Sequence, residues 1–333
     1  MPMKTLGLLA KDGYLREEHN LAVLNSGYEL HDFSDWPDYT HQQLLDACRS
    51  VEVVLTGRGS PSLPEELIED FGQLRYLCHL HGTVRHLVSR EHIEAGLLVT
   101  NWGDTRDMVA EGAMALLLGM LKQLVPLNAW GKGGEDERIH QMFPCTLNDM
   151  DVGLYGYGPI GQHHARMLEP FGANVAIYDP YAENVPQDIR VCNSLEELFS
   201  TCQAVCVHCG LNDQTRGSVT RDLLEKLPRG GILINTARGA IVDEAALAEL
   251  VAQGHILAGI DVIENEGAWA ESPLAPLSGA VLTRHKVSSG KGYPPGEAPP
   301  KRIPHFAADN LRRYREGRSL RHVITPELYD IKT

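Results

Sequence analysis

Short apolar runs recur along this chain with helical patterns between them, and this alternation constrains the fold more than any other feature. The runs are Leu6 to Ala10, Val51 to Leu55, Leu74 to Leu80 and Leu97 to Thr100. The rhythm resumes at Val152 to Tyr155, Asn174 to Tyr178, Ala204 to His208, Gly231 to Asn235, Ile256 to Asp261 and Ala280 to Thr283. Strands that alternate with helices imply βαβ units and parallel sheets, the signature of an α/β protein. A length of 333 residues suits two such domains, at roughly 150 residues each.

A long helical pattern from Met108 to Val125 lies between the two strand series and is expected to carry the chain from one lobe to the other. Pro126 is its expected stop, because the residue before a proline is pushed out of helical geometry. A last helix, Phe306 to Arg315, ends at Gly317 and is expected to pack back on the first lobe. The expected division is a discontinuous domain, residues 1–103 plus 290–333, around a continuous one, residues 104–289. Gly290 to Pro304 holds five prolines and three glycines, which reads as an ordered loop rather than a helix.

The longest apolar stretch, Ala113 to Leu121, meets Lys122 well short of a bilayer span, which takes roughly 20 residues. Lys4 is followed only by Thr5 to Ala10 before charge returns, unlike a secretory signal. A formal net charge of −14 argues against nucleic acid or an anionic membrane as partner. Seven cysteines, an odd number without a disulfide-like framework, point to a reducing cytoplasm.

Between the strand Asp151–Tyr155 and a helix from Ile160 to Phe171 stands Gly156-Tyr157-Gly158-Pro159-Ile160-Gly161. In this G-x-G-x-x-G pattern the first glycine permits a tight turn and the second lets backbone approach a pyrophosphate. The third allows close helix–strand packing, and the helix N-terminus meets the phosphates with its positive end. The next strand ends in Asp179, placed to bind ribose hydroxyls and to repel a 2′-phosphate. The expected cofactor is NAD.

Further on, Asn235-Thr-Ala-Arg238-Gly239 closes one strand, Asp261-Val-Ile-Glu-Asn-Glu266 follows the next, and Leu282-Thr-Arg-His285 the one after. At these residues the chain resembles the D-isomer-specific 2-hydroxyacid dehydrogenase family. That family orders a cofactor loop, N-x-x-R-G, D-V-x-x-x-E and a histidine in the same way. Val109-Ala110-Glu111 at the start of the long helix, and Asn310-Leu311 with Gly317 near the C-terminus, extend the resemblance over nearly the whole chain.

The resemblance implies a Rossmann doubly wound sheet, a smaller flavodoxin-like α/β substrate domain and an active site in the cleft between them. It implies an NAD-dependent dehydrogenase or 2-oxoacid reductase acting on a small anionic acid, assembled as a homodimer through the NAD domain. Arg238 would bind the substrate carboxylate or carbonyl with its donor fork. His285 would be the general acid/base, and Glu266 would orient its imidazole and favour the protonated form; Glu264, two residues away, competes for that role. Gly156, Gly158, Pro159, Ile160, Gly161, Asp179, Thr236, Ala237 and Asp261 would hold the cofactor, Asp261 at the nicotinamide amide. Gly82, Thr83 and Val84 would receive the substrate carboxylate on backbone N–H groups, Gly82 allowing the close approach.

Several segments depart from the family. Gly82-Thr-Val-Arg85-His86 replaces a G-x-G-x-D-N pattern and adds a cation; Arg106 is another. If both face the ligand, the substrate carries a second anionic group. Arg284 stands where the family has proline, Lys286 to Gly290 replaces a G-G segment, and His208-Cys-Gly210-Leu-Asn212 lacks the usual proline and threonine. Cys202, Cys206, His208 and Cys209 resemble a metal cluster, but on a strand Cys206 and His208 share one face and Cys209 the other; no metal is expected. His163-His164 diverge by about 100° on their helix, and His79 and His81 flank the carboxylate loop. Glu266 disfavours a formate dehydrogenase-like enzyme, which pairs its histidine with glutamine. A long-type phosphoglycerate dehydrogenase would carry an additional regulatory domain, for which this chain is too short. A phosphite-type dehydrogenase in the same fold and a non-catalytic NAD(H)-sensing binding protein remain as alternatives.

Overall fold

The computed structural model describes residues 4–9, 27–33, 35–57, 59–101, 106–134, 144–287 and 302–332, with side chains at all of these except 106, 302–305 and 330–332. The chain divides into two compact units, Met1–Asp104 with Lys291–Thr333, and Thr105–Gly290.

In the first unit the described residues form a five-stranded parallel sheet of β1 (Lys4–Leu8), β2 (Tyr28–Asp32), β3 (Val53–Thr56), β4 (Tyr76–His79) and β5 (Leu98–Thr100). Their order, β2-β1-β3-β4-β5, is that of flavodoxin-like sheets. Successive strand residues face opposite sides, so each strand feeds two cores. Val54 and Leu77 pack with Leu45 and Cys48 of helix His41–Arg49, whereas Val53, Leu55 and Tyr76 pack with Ala307 and Leu311 of helix Arg302–Arg315. Helix Arg302–Arg315 thus returns to the first unit's sheet, but it is not the last, since a further helix, Pro326–Lys332, follows it. Gly317, at φ 67°, lies just past its end in a conformation that suits glycine. This helix begins before Pro304, where the apolar pattern predicts a loop. A proline in the first turn gives up an N–H that has no helical partner anyway. The rest of the Pro-rich stretch lies outside the described residues.

The second unit holds a seven-stranded parallel sheet of β6 (Asp151–Tyr155), β7 (Asn174–Tyr178), β8 (Arg190–Val191), β9 (Ala204–Val207), β10 (Gly231–Asn235), β11 (Ile256–Ile260) and β12 (Ala280–Leu282). The order is β12-β11-β10-β9-β6-β7-β8. From β6 the chain runs outward through β7 and β8, then returns to β9 on β6's other side. The switch point therefore lies between β6 and β9, and doubly wound sheets bind ligands at the C-terminal ends of the strands there. One face packs Leu154, Cys206 and Ile234 against Met114 and Leu117 of helix Arg106–Leu121; the other packs Val205, Leu233 and Ala258 against Leu198 and Leu247.

Helix Arg106–Leu121 ends before Pro126, not at it. Gln123 adopts a left-handed φ of 49°, and a second helix, Leu124–Gly131, starts with Pro126 in its first turn. Proline is tolerated there for the same missing-donor reason. No single described helix is long and apolar enough to cross a membrane. The bent pair Asp107–Leu121 and Leu124–Gly131 passes by length and composition only, and the first of them packs its apolar residues in the core.

Candidate active site

The glycine turn leaves β6 at the switch point. Gly156 has φ 101°, and a β-carbon there would lie 2.5 Å from the amide nitrogen of Cys209, at the end of β9. Only glycine lets these two strand ends approach so closely. A β-carbon on Gly161 would lie 2.2 Å from the carbonyl oxygen of Gly156, so the helix packs directly on the turn. Gly158 differs: nothing lies within 4 Å of its would-be β-carbon, and it caps helix Pro159–Leu168. Open space at the N-terminus of a ten-residue helix is what a pyrophosphate needs. Pro159 and Ile160 begin that helix. Asp179, just past β7, accepts hydrogen bonds from the amides of Tyr157 at 2.7 Å and Tyr181 at 2.8 Å. Each carboxylate oxygen keeps acceptor capacity beyond one such bond.

Beyond β10, Asn235 folds the next turn: its Oδ1 accepts from Ala237 N–H and its Nδ2 donates to the Arg238 carbonyl. The hydroxyl of Thr236 is buried and has no hydrogen-bond partner among the described residues. With the space at Gly158, this orphaned donor fits a bound dinucleotide better than an apo core. A β-carbon on Gly239 would lie 1.9 Å from the carbonyl carbon of Ile263 and 2.3 Å from Glu264 N. The glycine therefore docks the Arg238 turn against the segment that leads to Glu266.

Arg238 donates to the Ala237 carbonyl at 2.7 Å. The protein around its guanidinium disfavours the charge and lowers its pKa, and Glu266 opposes that shift. Glu266 Oε2 lies 3.0 Å from His285 Nδ1, with both side chains partly exposed. Glu264 does not reach the histidine; its amide donates to Glu244 Oε2. Arg238, Glu266 and His285, dispersed over three strand ends, are thus brought into one group. Asp261 is fully buried at the end of β11, where its Oδ1 accepts from Thr283 Oγ1 at 2.6 Å, Lys286 N at 2.9 Å and Val287 N at 3.3 Å.

In the other unit, Gly82, Thr83 and Val84 lie in the segment after β4. Gly82 O accepts from Asn101 Nδ2 at 2.7 Å, Thr83 Oγ1 from Arg85 N at 3.4 Å, and the Val84 side chain is fully buried. Arg85 lies over the ring of Tyr329, 5.8 Å from its centroid. The side chain of Arg106 lies outside the described residues. His79 is buried with Nδ1 3.0 Å from Thr56 Oγ1, and burial, then His81 and His86, pushes its pKa down to about 3.

Sequence reasoning missed a pair of imidazoles behind the glycine turn. His164 Nδ1 and His208 Nε2 lie 2.8 Å apart, and desolvation lowers the pKa of both, to about 4 for His164. The signal available was the period of helix Pro159–Leu168, which turns His164 inward and His163 out. Among the described residues no group of three or more His, Cys, Asp or Glu side chains is arranged to hold a metal. Cys202 and Cys206 belong to cores on opposite faces of the sheet.

A doubly wound sheet whose switch point carries a glycine turn, a strand-end acid and an open helix N-terminus defines a dinucleotide-binding fold. Residues 114–286 match the model of the D-isomer specific 2-hydroxyacid dehydrogenase, NAD binding domain, and the chain belongs to that family. Its cofactor is a nicotinamide dinucleotide.

The chain is 30% identical over 236 residues to hydroxypyruvate reductase of Thermotoga maritima, covering 70% of this chain and 76% of that protein. It is 36% identical over 261 residues to D-3-phosphoglycerate dehydrogenase of Mycobacterium tuberculosis, covering 77% of this chain and 48% of the relative. The chain thus spans about half the length of the phosphoglycerate dehydrogenases it matches. Among solved structures, a glyoxylate reductase from Paecilomyes thermophila superposes with a TM-score of 0.77 at 23% identity, over 98% of this chain and 100% of that one, and shares the fold.

Proposed function

We propose that this chain is an NAD(H)-dependent 2-oxoacid reductase, the reverse of a D-2-hydroxyacid dehydrogenase. The observation that carries this reading is the Glu266–His285 pair at 3.0 Å with Arg238 beside it. A histidine bound at Nδ1 by a carboxylate is fixed in ring orientation and tautomer, and presents Nε2 for proton transfer. In the reducing direction His285 gives its Nε2 proton to the oxygen formed from the substrate carbonyl, and Glu266 holds the ring at Nδ1 through that step. Arg238 binds the carboxylate or carbonyl of the substrate and draws charge toward its oxygen. The amides of Gly82, Thr83 and Val84 are the proposed receivers of the carboxylate.

Gly156, Gly158, Pro159, Ile160 and Gly161 would hold the pyrophosphate, Asp179 the adenosine ribose, and Thr236 and Ala237 the nicotinamide side. Bound NADH supplies the hydride that reaches the carbonyl carbon. Asp179 supports NAD over NADP, because a 2′-phosphate would bring negative charge against its carboxylate. Seven cysteines, all free, support a reducing compartment, the cytoplasm. Exposed Leu124, Val125 and Trp130 on the NAD-binding unit support assembly as a homodimer, which light scattering checks.

The deciding experiment follows NADH absorbance with glyoxylate, hydroxypyruvate, phosphonopyruvate and oxaloacetate, repeated with NADPH. Turnover with at least one acid and a strong NADH preference are expected. Tight NADH binding without turnover of any acid would overturn the catalytic reading, and equal rates with NADPH would overturn the role of Asp179.

A further inference from the structure

His285 stands on a turn that its own backbone disfavours. Arg284 and His285 both have positive φ, 51° and 56°. Consecutive residues with β-carbons in the left-handed region persist only where their surroundings hold them there. Proline, with φ locked near −65°, has no access to the Arg284 conformation. The Arg284 conformation is therefore closed to the proline that the family pattern has at that place.

The support converges on Asp261. Its Oδ1 accepts one hydrogen bond from Thr283, before the left-handed pair, and two from the Lys286 and Val287 amides after it. Its main-chain carbonyl accepts the amide of His285 itself at 2.6 Å. One residue at the end of β11 thus binds the turn on both sides of the imidazole. Because Asp261 is fully buried, water does not compete for these bonds. Glu266, on the same strand-to-loop segment, then meets His285 Nδ1.

We infer that Asp261 is the positioning residue of His285, acting through the Arg284–His285 turn rather than on substrate or cofactor. The inference rests on the reading of His285 as the proton-transferring group. It differs in consequence from the nicotinamide-amide contact that the family resemblance implies. A cofactor contact sets NADH affinity, whereas a turn that aims an imidazole sets kcat, and a displacement of about 1 Å in a reacting group lowers rate about 100-fold.

The test compares Asp261→Ala, Asp261→Asn, Thr283→Val and His285→Ala in the full chain. NADH Kd is read by fluorescence titration, and kcat and KM by NADH oxidation with the most active acid of the panel. Asp261→Ala should lower kcat about 100-fold. Asn keeps an oxygen acceptor for the same three donors and should recover about tenfold of that loss. Thr283→Val removes one donor and should lower kcat about threefold to tenfold, and NADH Kd should stay within about threefold throughout.

Weakened NADH binding with kcat retained in Asp261→Asn and Thr283→Val would overturn the inference, and these two variants decide should Asp261→Ala not fold. His285→Ala separates the failures. Turnover retained there overturns the proton-transfer reading and this inference with it. Turnover lost there, with Asp261→Ala at wild-type kcat, overturns the positioning role alone.

Discussion

Replacing Gly239 by alanine tests whether one close backbone approach assembles the Arg238, Glu266 and His285 group. The new β-carbon would lie 1.9 Å from the Ile263 carbonyl carbon, 2.2 Å from its oxygen and 2.3 Å from Glu264 N. All three are main-chain atoms, so no rotamer change relieves the clash. Restoring ordinary contact, at 3.4 Å or beyond, means moving the two segments apart by about 1.5 Å. Overpacking of this kind costs about 1–3 kcal/mol, which lowers Tm by roughly 2–12 °C in a unit of this size. The same displacement moves Arg238 away from Glu266, and about 1 Å of misplacement lowers rate about 100-fold. The expected result is kcat/KM down about 100-fold for the best 2-oxoacid. NADH Kd should change far less than kcat/KM, because Gly156, Gly158, Gly161 and Asp179 follow other strands and only Thr236 and Ala237 share the displaced turn. Stopped-flow NADH oxidation and thermal unfolding read both effects. A variant with wild-type Tm and kcat/KM within threefold would refute the reasoning.

Glu266→Gln should lower kcat more than about tenfold at neutral pH, while Glu264→Gln should stay within about twofold, since Glu264 does not meet the histidine; equal losses in a steady-state assay would refute the assignment. Acid stability follows from the buried imidazoles. The folded pKa values of His164 and His79, about 4 and about 3, lie below the ordinary value of 6.5, so the unfolded chain binds more protons. Their contribution is fully present above about pH 6.5 and declines as pH falls toward those values, by about 1.4 kcal/mol per pH unit for each group. Urea midpoints should fall from pH 7 to pH 5, and the His164→Leu/His208→Leu double variant should show a shallower dependence; superimposable pH profiles would contradict the buried neutral pair.

Much of the fold was legible in the sequence because strand cores and helix starts are local matters. The apolar runs of β3, β4, β6, β7, β9, β10 and β11 announce themselves, and Gly156 to Gly161 marks a strand–turn–helix that few other patterns satisfy. Two strands were not legible. In β2 only Tyr28 is buried, and β8 is two exposed residues whose strand character exists only through pairing with Ala176 and Ile177. Pro126, expected to stop a helix, and Pro304, expected to end a loop, both lie in first turns of helices, because a proline's effect depends on its place in the helix, which neighbouring residues alone do not set.

For the candidate site the division is sharper. The residue types and their order, from the glycine turn through Asp179, Arg238, Glu266 and His285, are one-dimensional facts and determine which chemistry is available. Which of two nearby acids meets the imidazole is a matter of distance, and tertiary structure alone gives Glu266 the contact and leaves Glu264 with Glu244. The clash-free fit of Gly239 on Ile263, the facing of His164 and His208, and the three donors on Asp261 Oδ1 depend likewise on segments far apart in the chain. Local sequence determines turns, strands and reactive groups because their causes lie within a few residues. Hydrogen bonds and close backbone approaches between strand ends need the whole sheet in register before they exist, and only the folded unit decides them.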